Sequence, residues 1–188
     1  MTTELSFKPI KRNLWTDFEE LFGPNGACAG CWCMYWKLRG KEYGEARGYE
    51  SRQMHKSIVD SGVVTGLLAY LHGEVVGWIA VEPRESYLRL AHSRNLKPVD
   101  DQPVWSITCF FVAKSARRQG ITVELLKAAV EHVRKQGGRI VEGYPVEVHE
   151  KMSPPFLYTG TASAFQQAGF QEVARRAPTR PIFRFVIE

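Results

Sequence analysis

Residues 110–133 read FFVAKSARRQGITVELLKAAVEHV: an apolar run, a basic glycine-bearing turn, and a long stretch with helical spacing. The run begins earlier, at Val104, and over VWSITCFFV only Ser106 and Thr108 interrupt its apolar character. A strand apolar on both alternating faces is covered on both sides, so this one belongs in the middle of a sheet. After the turn, Leu125, Leu126, Ala129, Val130 and Val133 fall on one stripe, with Glu131 and Lys135 paired on the other side and Gly137 as the stop. Between the two, Lys114, Arg117 and Arg118 crowd a helix start, where the macrodipole favours acidic residues. The free N–H groups of a first turn bind anions, and Gly120 lets the backbone approach a ligand closely. Charge alone leaves a solvated basic loop as an equal reading.

Working outward, VVTGLLAYLHGEVVGWIAVEPR gives two β-rich runs joined through His72, Gly73 and Glu74, the pattern of an antiparallel hairpin. RIVEGYPVEV (139–148) reads as a strand, TASAFQQA as a short helix stopped by Gly169, and the last nineteen residues as two strands around a proline-bearing turn. Strand, helix, strand in succession after Val104 implies a partly parallel sheet. Towards the N-terminus, a short strand from Leu5 precedes an amphipathic helix with Asn13 as its cap and Gly23 as its stop. A second helical segment, with Met54, Ile58 and Val59 in phase, ends at Gly62. Residues 85–103 read as a long polar connection with one helical turn at its start.

The stretch from Phe110 to Val133 resembles the acyl-CoA signature of the GNAT superfamily of N-acetyltransferases, in which a strand ending in Val is followed by an Arg/Gln-x-x-Gly-x-Gly/Ala turn opening a helix. Here the turn runs Arg117, Arg118, Gln119, Gly120, Ile121, Thr122. Thr122 departs from the usual Gly or Ala, and Lys114 from a frequent Pro. The order of the remaining elements and the downstream Ala168-Gly169-Phe170 extend the likeness over nearly the whole chain. The resemblance implies an α/β (α+β) fold with a mixed, mostly antiparallel sheet flanked by helices, as a single domain over residues 1–188. It implies acetyl-CoA as cosubstrate. The amides of Arg117, Arg118, Gln119, Gly120, Ile121 and Thr122 would hold its pyrophosphate, and main-chain groups near Phe110 and Val112 its pantetheine arm and thioester. The acceptor would be the primary amine of a small molecule or a peptide. A homodimer is expected by analogy. The competing reading is a non-catalytic domain that senses acyl-CoA.

Acetyl transfer to an amine needs a neutral amine, a polarised thioester and a proton for the leaving thiolate. Many family members carry a Tyr four residues before the Gly-Phe exit; this chain has Phe165. Tyr158, seven residues earlier, is the leading candidate for the acid. Where the family sometimes has a Glu on the central strand this chain has Ser106, which takes no proton unaided, so Glu82, Glu147 and His149 are the candidate bases.

Residues 26–36, GACAGCWCMYW, hold three of the four cysteines. Zinc needs about four ligands and this stretch supplies three, so no metal is expected. By the resemblance the segment walls the acceptor pocket, with Trp32, Cys33, Tyr35 and Trp36 facing the substrate and packing of the core as the alternative. The chain has 188 residues, 44% of them hydrophobic, and a formal charge of +5. Its arginines are spread among loops rather than striped along one element, which argues against nucleic acid. No eighteen-residue apolar run and no leader pattern occur, so a cytoplasmic protein with reduced thiols and no membrane partner is expected.

Overall fold

A strand with apolar residues on both faces needs a layer on each side, and the computed structural model, which describes residues 5–148 and 156–188, supplies both. The elements are β1 (Leu5–Pro9), α1 (Trp15–Phe22), α2 (Gly40–Ala46), α3 (Tyr49–Asp60), β2 (Gly66–Leu71), β3 (Glu74–Pro83), α4 (Leu88–Ala91), β4 (Trp105–Val112), α5 (Ile121–Lys135), β5 (Ile140–Gly143), α6 (Ala162–Gln167), β6 (Gln171–Arg175) and β7 (Pro181–Val186). They build one seven-stranded sheet in the order β1-β2-β3-β4-β5-β7-β6, with β4 at its centre. Only β4 and β5 run parallel; every other pairing is antiparallel. The fold is mixed α+β, as the order of elements implied.

Alternation along β3 distributes its side chains between the two layers. Ile79 and Val81 meet Leu125, Leu126, Ala129 and Val133 of α5 on one face. Trp78 and Ala80 meet Trp15, Phe18, Phe22 and Val59 of α1 and α3 on the other. Burying each such side chain contributes roughly 1.5–3 kcal/mol, so the two apolar layers hold β3 and β4 as the stiffest part of the sheet. The hairpin between β2 and β3 turns through His72 and Gly73, both at positive φ (51° and 86°), the combination a tight two-residue connection needs.

Three expectations change. Asn13 does not cap α1; it lies in a 3-10 turn at Arg12–Leu14 and makes no capping bond. The strand read over 139–148 is regular only at Ile140–Gly143, where it pairs with β4 and β7. The connection after β3 is far from loose. Tyr87, Leu90 and Leu96 are buried in it, and three arginines tie it down: Arg84 to the carbonyls of Leu90 and Leu96, Arg176 to those of Lys97 and Pro98, and Arg184 to Asp100. Its polar composition conceals buried anchors that only distant residues reveal.

Candidate active site

β4 and β5 pair at three positions only, Trp105 to Val141, Ser106 to Glu142 and Ile107 to Gly143. Beyond them β4 passes an irregularity at Thr108, which the β3 register skips, and continues to Val112, whereas the other chain leaves the sheet at Tyr144. The strands therefore part at the centre of the sheet, and the edge of β4 facing the gap keeps its peptide groups. Phe110 donates its N–H across the gap to the carbonyl of Tyr158 at 2.6 Å. Because peptide direction alternates along a strand, Val112 presents its peptide groups on the same side. The Val112 carbonyl accepts from Arg117 Nε at 3.0 Å, which draws the basic turn onto the end of the strand. Glycine is required where this region closes: a Cβ on Gly143 would stand 2.1 Å from the Phe165 ring, and one on Gly160 2.9 Å from it.

The turn after β4 is shaped by two positive-φ residues, Arg118 (63°) and Gly120 (77°). It leaves the N–H groups of Arg118, Gln119, Gly120, Ile121 and Thr122 without a protein acceptor among the described residues, while Val123 and Glu124 bond to the Gly120 carbonyl. Five successive free amides at the start of a fifteen-residue helix form an anion-binding concavity, and a Cβ at Gly120 would meet nothing within 4 Å. The α5 dipole adds to it. The Arg117 main chain is already spent on the Lys114 carbonyl, at 3.5 Å, so this residue offers its side chain to strand β4 rather than its amide to a ligand.

Among the proposed proton-transfer residues, Tyr158 sits beside the gap. Its carbonyl binds Phe110, and its ring packs edge-on against Tyr35 with centroids 6.2 Å apart. Burial, and then the neighbouring Tyr35 phenol, push the Tyr158 hydroxyl well above its ordinary value, so it stays protonated at neutral pH. Glu82 lies opposite Ser106 in the β3–β4 register, almost wholly buried, with Lys37 Nζ 2.5 Å and 2.8 Å from its two oxygens. Burial raises its carboxyl and Lys37 pulls it partly back. The geometry of the 2.5 Å contact is off the hydrogen-bond line, yet at that distance the ion pair is the dominant fact. Glu147 is committed elsewhere. It binds Arg175 at 2.5 Å, and its own N–H goes to the Thr179 carbonyl, tying it to the β6–β7 side. Glu147 thus stands half-exposed in an ion pair on that side of the sheet. His149 lies outside the described residues.

The aromatic segment divides. Cys33 is a core residue, not the pocket wall expected of it: its Sγ accepts from Trp78 Nε1 at 3.3 Å beside buried Cys109. Trp32 stacks on Phe22 (centroids 5.8 Å, 19°) and lines a separate cleft with Glu19, Glu20, Tyr49 and Arg52. Trp32 and Cys33 adopt positive φ (44° and 58°), and His55 holds the turn by bonding the Trp32 carbonyl through Nδ1 at 2.9 Å. A carbonyl only accepts, so Nδ1 carries the proton and Nε2 accepts from Thr65 at 2.8 Å. Tyr35 and Trp36 instead line an open cleft with Arg39, Arg89, His92 and Ser93. Among the described residues no three His, Cys, Asp or Glu side chains converge on a metal position, and no helix is long and apolar enough to cross a membrane.

The sequence model of the GNAT acetyltransferase family matches residues 28–151, from the cysteine segment past β5. The chain belongs to the GNAT family. Similar solved structures carry the same fold: a GNAT acetyltransferase from Listeria monocytogenes (TM-score 0.61, 7% identity, covering 100% of this chain and 99% of that one); the polyamine N-acetyltransferase of Drosophila melanogaster that forms N-acetylagmatine (0.57, 10%, 98% and 100%); and the diaminobutyrate acetyltransferase of Paenibacillus lautus, in complex with diaminobutyric acid and coenzyme A (0.51, 16%, 98% and 95%). At such identities the likeness is one of fold. No curated protein sequence matches the chain.

As a GNAT chain, it replaces the sometimes-acidic position of the central strand by Ser106, and the structure shows what Ser106 does there. The Tyr144 hydroxyl donates to Glu142 at 2.7 Å and accepts from Arg84 at 2.6 Å, so Ser106, 2.8 Å away, is its second donor. Arg184 closes the network onto Glu142 at 2.7 Å. Sequence reasoning passed over this buried cluster. The one signal available was a Glu and a Tyr inside a strand that must lie next to the central one.

Proposed function

We propose that this GNAT protein is an acetyl-CoA-dependent N-acetyltransferase acting on the primary amine of a small molecule, with residues 1–188 as one catalytic domain. The observation that carries the reading is the join of a parted β4 edge to a cradle of five free amides at the head of α5. That join fits a long acyl carrier with an anionic end. The pyrophosphate binds the amides of Arg118 to Thr122, and the pantetheine arm lies along the Phe110 and Val112 peptide groups. Since Tyr158 already bonds Phe110, the loop holding it has to exchange that bond when the arm enters.

The acceptor nitrogen attacks the thioester carbonyl carbon; the N–C bond forms, the C–S bond breaks, and the acetyl group passes to the amine. The nitrogen gives up one proton towards Glu82, whose carboxyl burial raises above its ordinary value against the pull of Lys37. Tyr158, still protonated, gives one to the departing sulfur. Holding both reactants across one gap accounts for much of the rate even where the base is weak.

The chemistry of two neighbours, formation of N-acetylagmatine by a polyamine N-acetyltransferase in one and diaminobutyric acid as substrate in another, supports a small amine as substrate. The test is release of free thiol from acetyl-CoA in the presence of an amine panel, alongside thermal unfolding with CoA alone. Thiol release with stoichiometric acetylamine is the expected result. A CoA-induced stabilisation with no transfer to any amine would favour an acyl-CoA sensor instead, and no stabilisation would remove both readings.

A further inference from the structure

The cleft that Tyr35 and Trp36 line is open, about 460 Å³ in volume. Its ionisable lining is one-signed. Arg39 and Arg89 carry fixed positive charge, His92 and Ser93 add hydrogen-bonding groups, and no carboxylate lies among the lining residues. Several arginines elsewhere are paired with carboxylates: Arg12 with Asp60, Arg52 with Glu19, Arg134 with Glu131 and Arg175 with Glu172. Among the described residues, Arg39 and Arg89 have no such partner.

Two further atoms point the same way. Arg89 Nε and the indole Nε1 of Trp36 are both buried and have no acceptor, and Trp36 as a whole is nine-tenths buried. Buried donors are almost always satisfied, so two of them in the wall of one cleft mark where an acceptor is missing. Their positions are fixed independently of any ligand. The Arg89 N–H bonds the Trp36 carbonyl at 3.1 Å, and its guanidinium lies 4.0 Å over the Tyr35 ring and 5.5 Å over that of Tyr43. That stacking holds a planar fork of donors in place, the geometry that matches a carboxylate.

The cleft also has a direction. Tyr35 is shared: one side packs under Arg89, and its ring meets Tyr158, whose carbonyl reaches the Phe110 peptide. On the transferase reading, a molecule lying in the cleft would extend from the arginines past Tyr35 towards Tyr158. Resting on the transferase reading above, we infer that the acceptor is an amine that also bears a carboxylate, an amino-acid-like zwitterion whose anionic end is held by Arg89, Arg39 and the Trp36 indole. A polyamine would bring a second cation against two unpaired guanidinium groups and be disfavoured.

The test uses matched pairs that differ only by the carboxylate: ornithine and putrescine, lysine and cadaverine, arginine and agmatine. In the parent, kcat/KM for the carboxylated member should exceed that of its partner by about tenfold or more, since a hydrogen-bonded charge contributes that much discrimination. Arg89→Gln should abolish the ratio, Arg89→Lys should keep part of it, and both should retain the CoA-induced thermal shift. The same pairs are titrated calorimetrically with and without CoA, so that the preference is read even if chemistry is slow. Equal or reversed preference in the parent, a ratio untouched by Arg89→Gln, or binding of none of the carboxylated members overturns the proposal while leaving the transferase standing. Failure of CoA to stabilise the protein strikes the transferase reading instead, and the titrations without CoA still decide the carboxylate.

Discussion

The main-chain N–H of Phe110 and the carbonyl of Tyr158 meet at 2.6 Å, fastening the loop that bears the candidate acid to the central strand. The same residue thus senses the strand through its backbone and faces Tyr35 with its ring.

Removing only the phenol oxygen should leave that backbone bond in place. Tyr158→Phe is therefore expected to lower kcat on the order of 100-fold, the usual share of one positioned acid, with the CoA-induced thermal shift unchanged. Steady-state thiol release reads the first quantity and a melting curve the second. A kcat within a factor of two of the parent would take Tyr158 out of the proton transfer.

Gly120 separates folding from cofactor binding. Its φ of 77° and open surroundings mean that Gly120→Glu costs the fold only the strain of a left-handed residue, roughly 1–2 kcal/mol, while setting a carboxylate at the mouth of the amide cradle. With acetyl-CoA at a hundredfold excess over Kd, the parent should gain about 2.7 kcal/mol. For a domain of this size that raises Tm by about 5–10 °C. The variant should gain nothing; an equal gain would place the pyrophosphate elsewhere.

His55 sets an acid limit to stability. Burial, followed by the Lys37 charge, lowers its folded value from 6.5 to about 3, so the native imidazole is neutral at every pH above that. The unfolded chain binds a proton near 6.5 that the native state refuses. Stability from the neutral ring is therefore complete above pH 6.5 and falls as pH drops towards 3, by about 1.36 kcal/mol per pH unit. Buried His132 is shifted the same way and adds to the slope. Urea unfolding at pH 7 and pH 5 should show the loss, and His55→Asn should flatten the dependence by about one proton while lowering stability at pH 7. An unchanged slope would mean that His55 is solvated in the folded protein.

Glu142 is fully buried and accepts from Arg84, Tyr144 and Arg184. Glu142→Gln leaves Arg84 without its counter-charge and Arg184 with Asp100 alone, and breaking one side of such a cluster costs about 3–5 kcal/mol. A fall in Tm on the order of 10 °C is expected. Glu131→Gln, on the exposed side of α5, should change stability by less than about 1 kcal/mol, because its partners Arg134 and Lys135 sit in solvent.

What the sequence determined by itself is the local grammar around β4. Periodicity identifies strand, turn and helix from Val104 to Val133, because side-chain spacing of two or 3.6 residues depends only on neighbours in the chain. The basic turn with Gly120 was legible for the same reason: free amides at a helix start are a property of the helix. Tertiary structure alone decided the rest. That Cys33 turns into the core while Tyr35 and Trp36 line a cleft follows from a segment, 26–33, in which six residues adopt positive φ and which no spacing rule describes. Glu82 meets Lys37 across 45 residues, Arg184 meets Glu142 across 42, and Arg89 Nε has no hydrogen-bond partner among the described residues. These are relations between side chains brought together by the closure of the sheet, and Coulomb and hydrogen-bond energies depend on distances in space that separation along the chain does not encode.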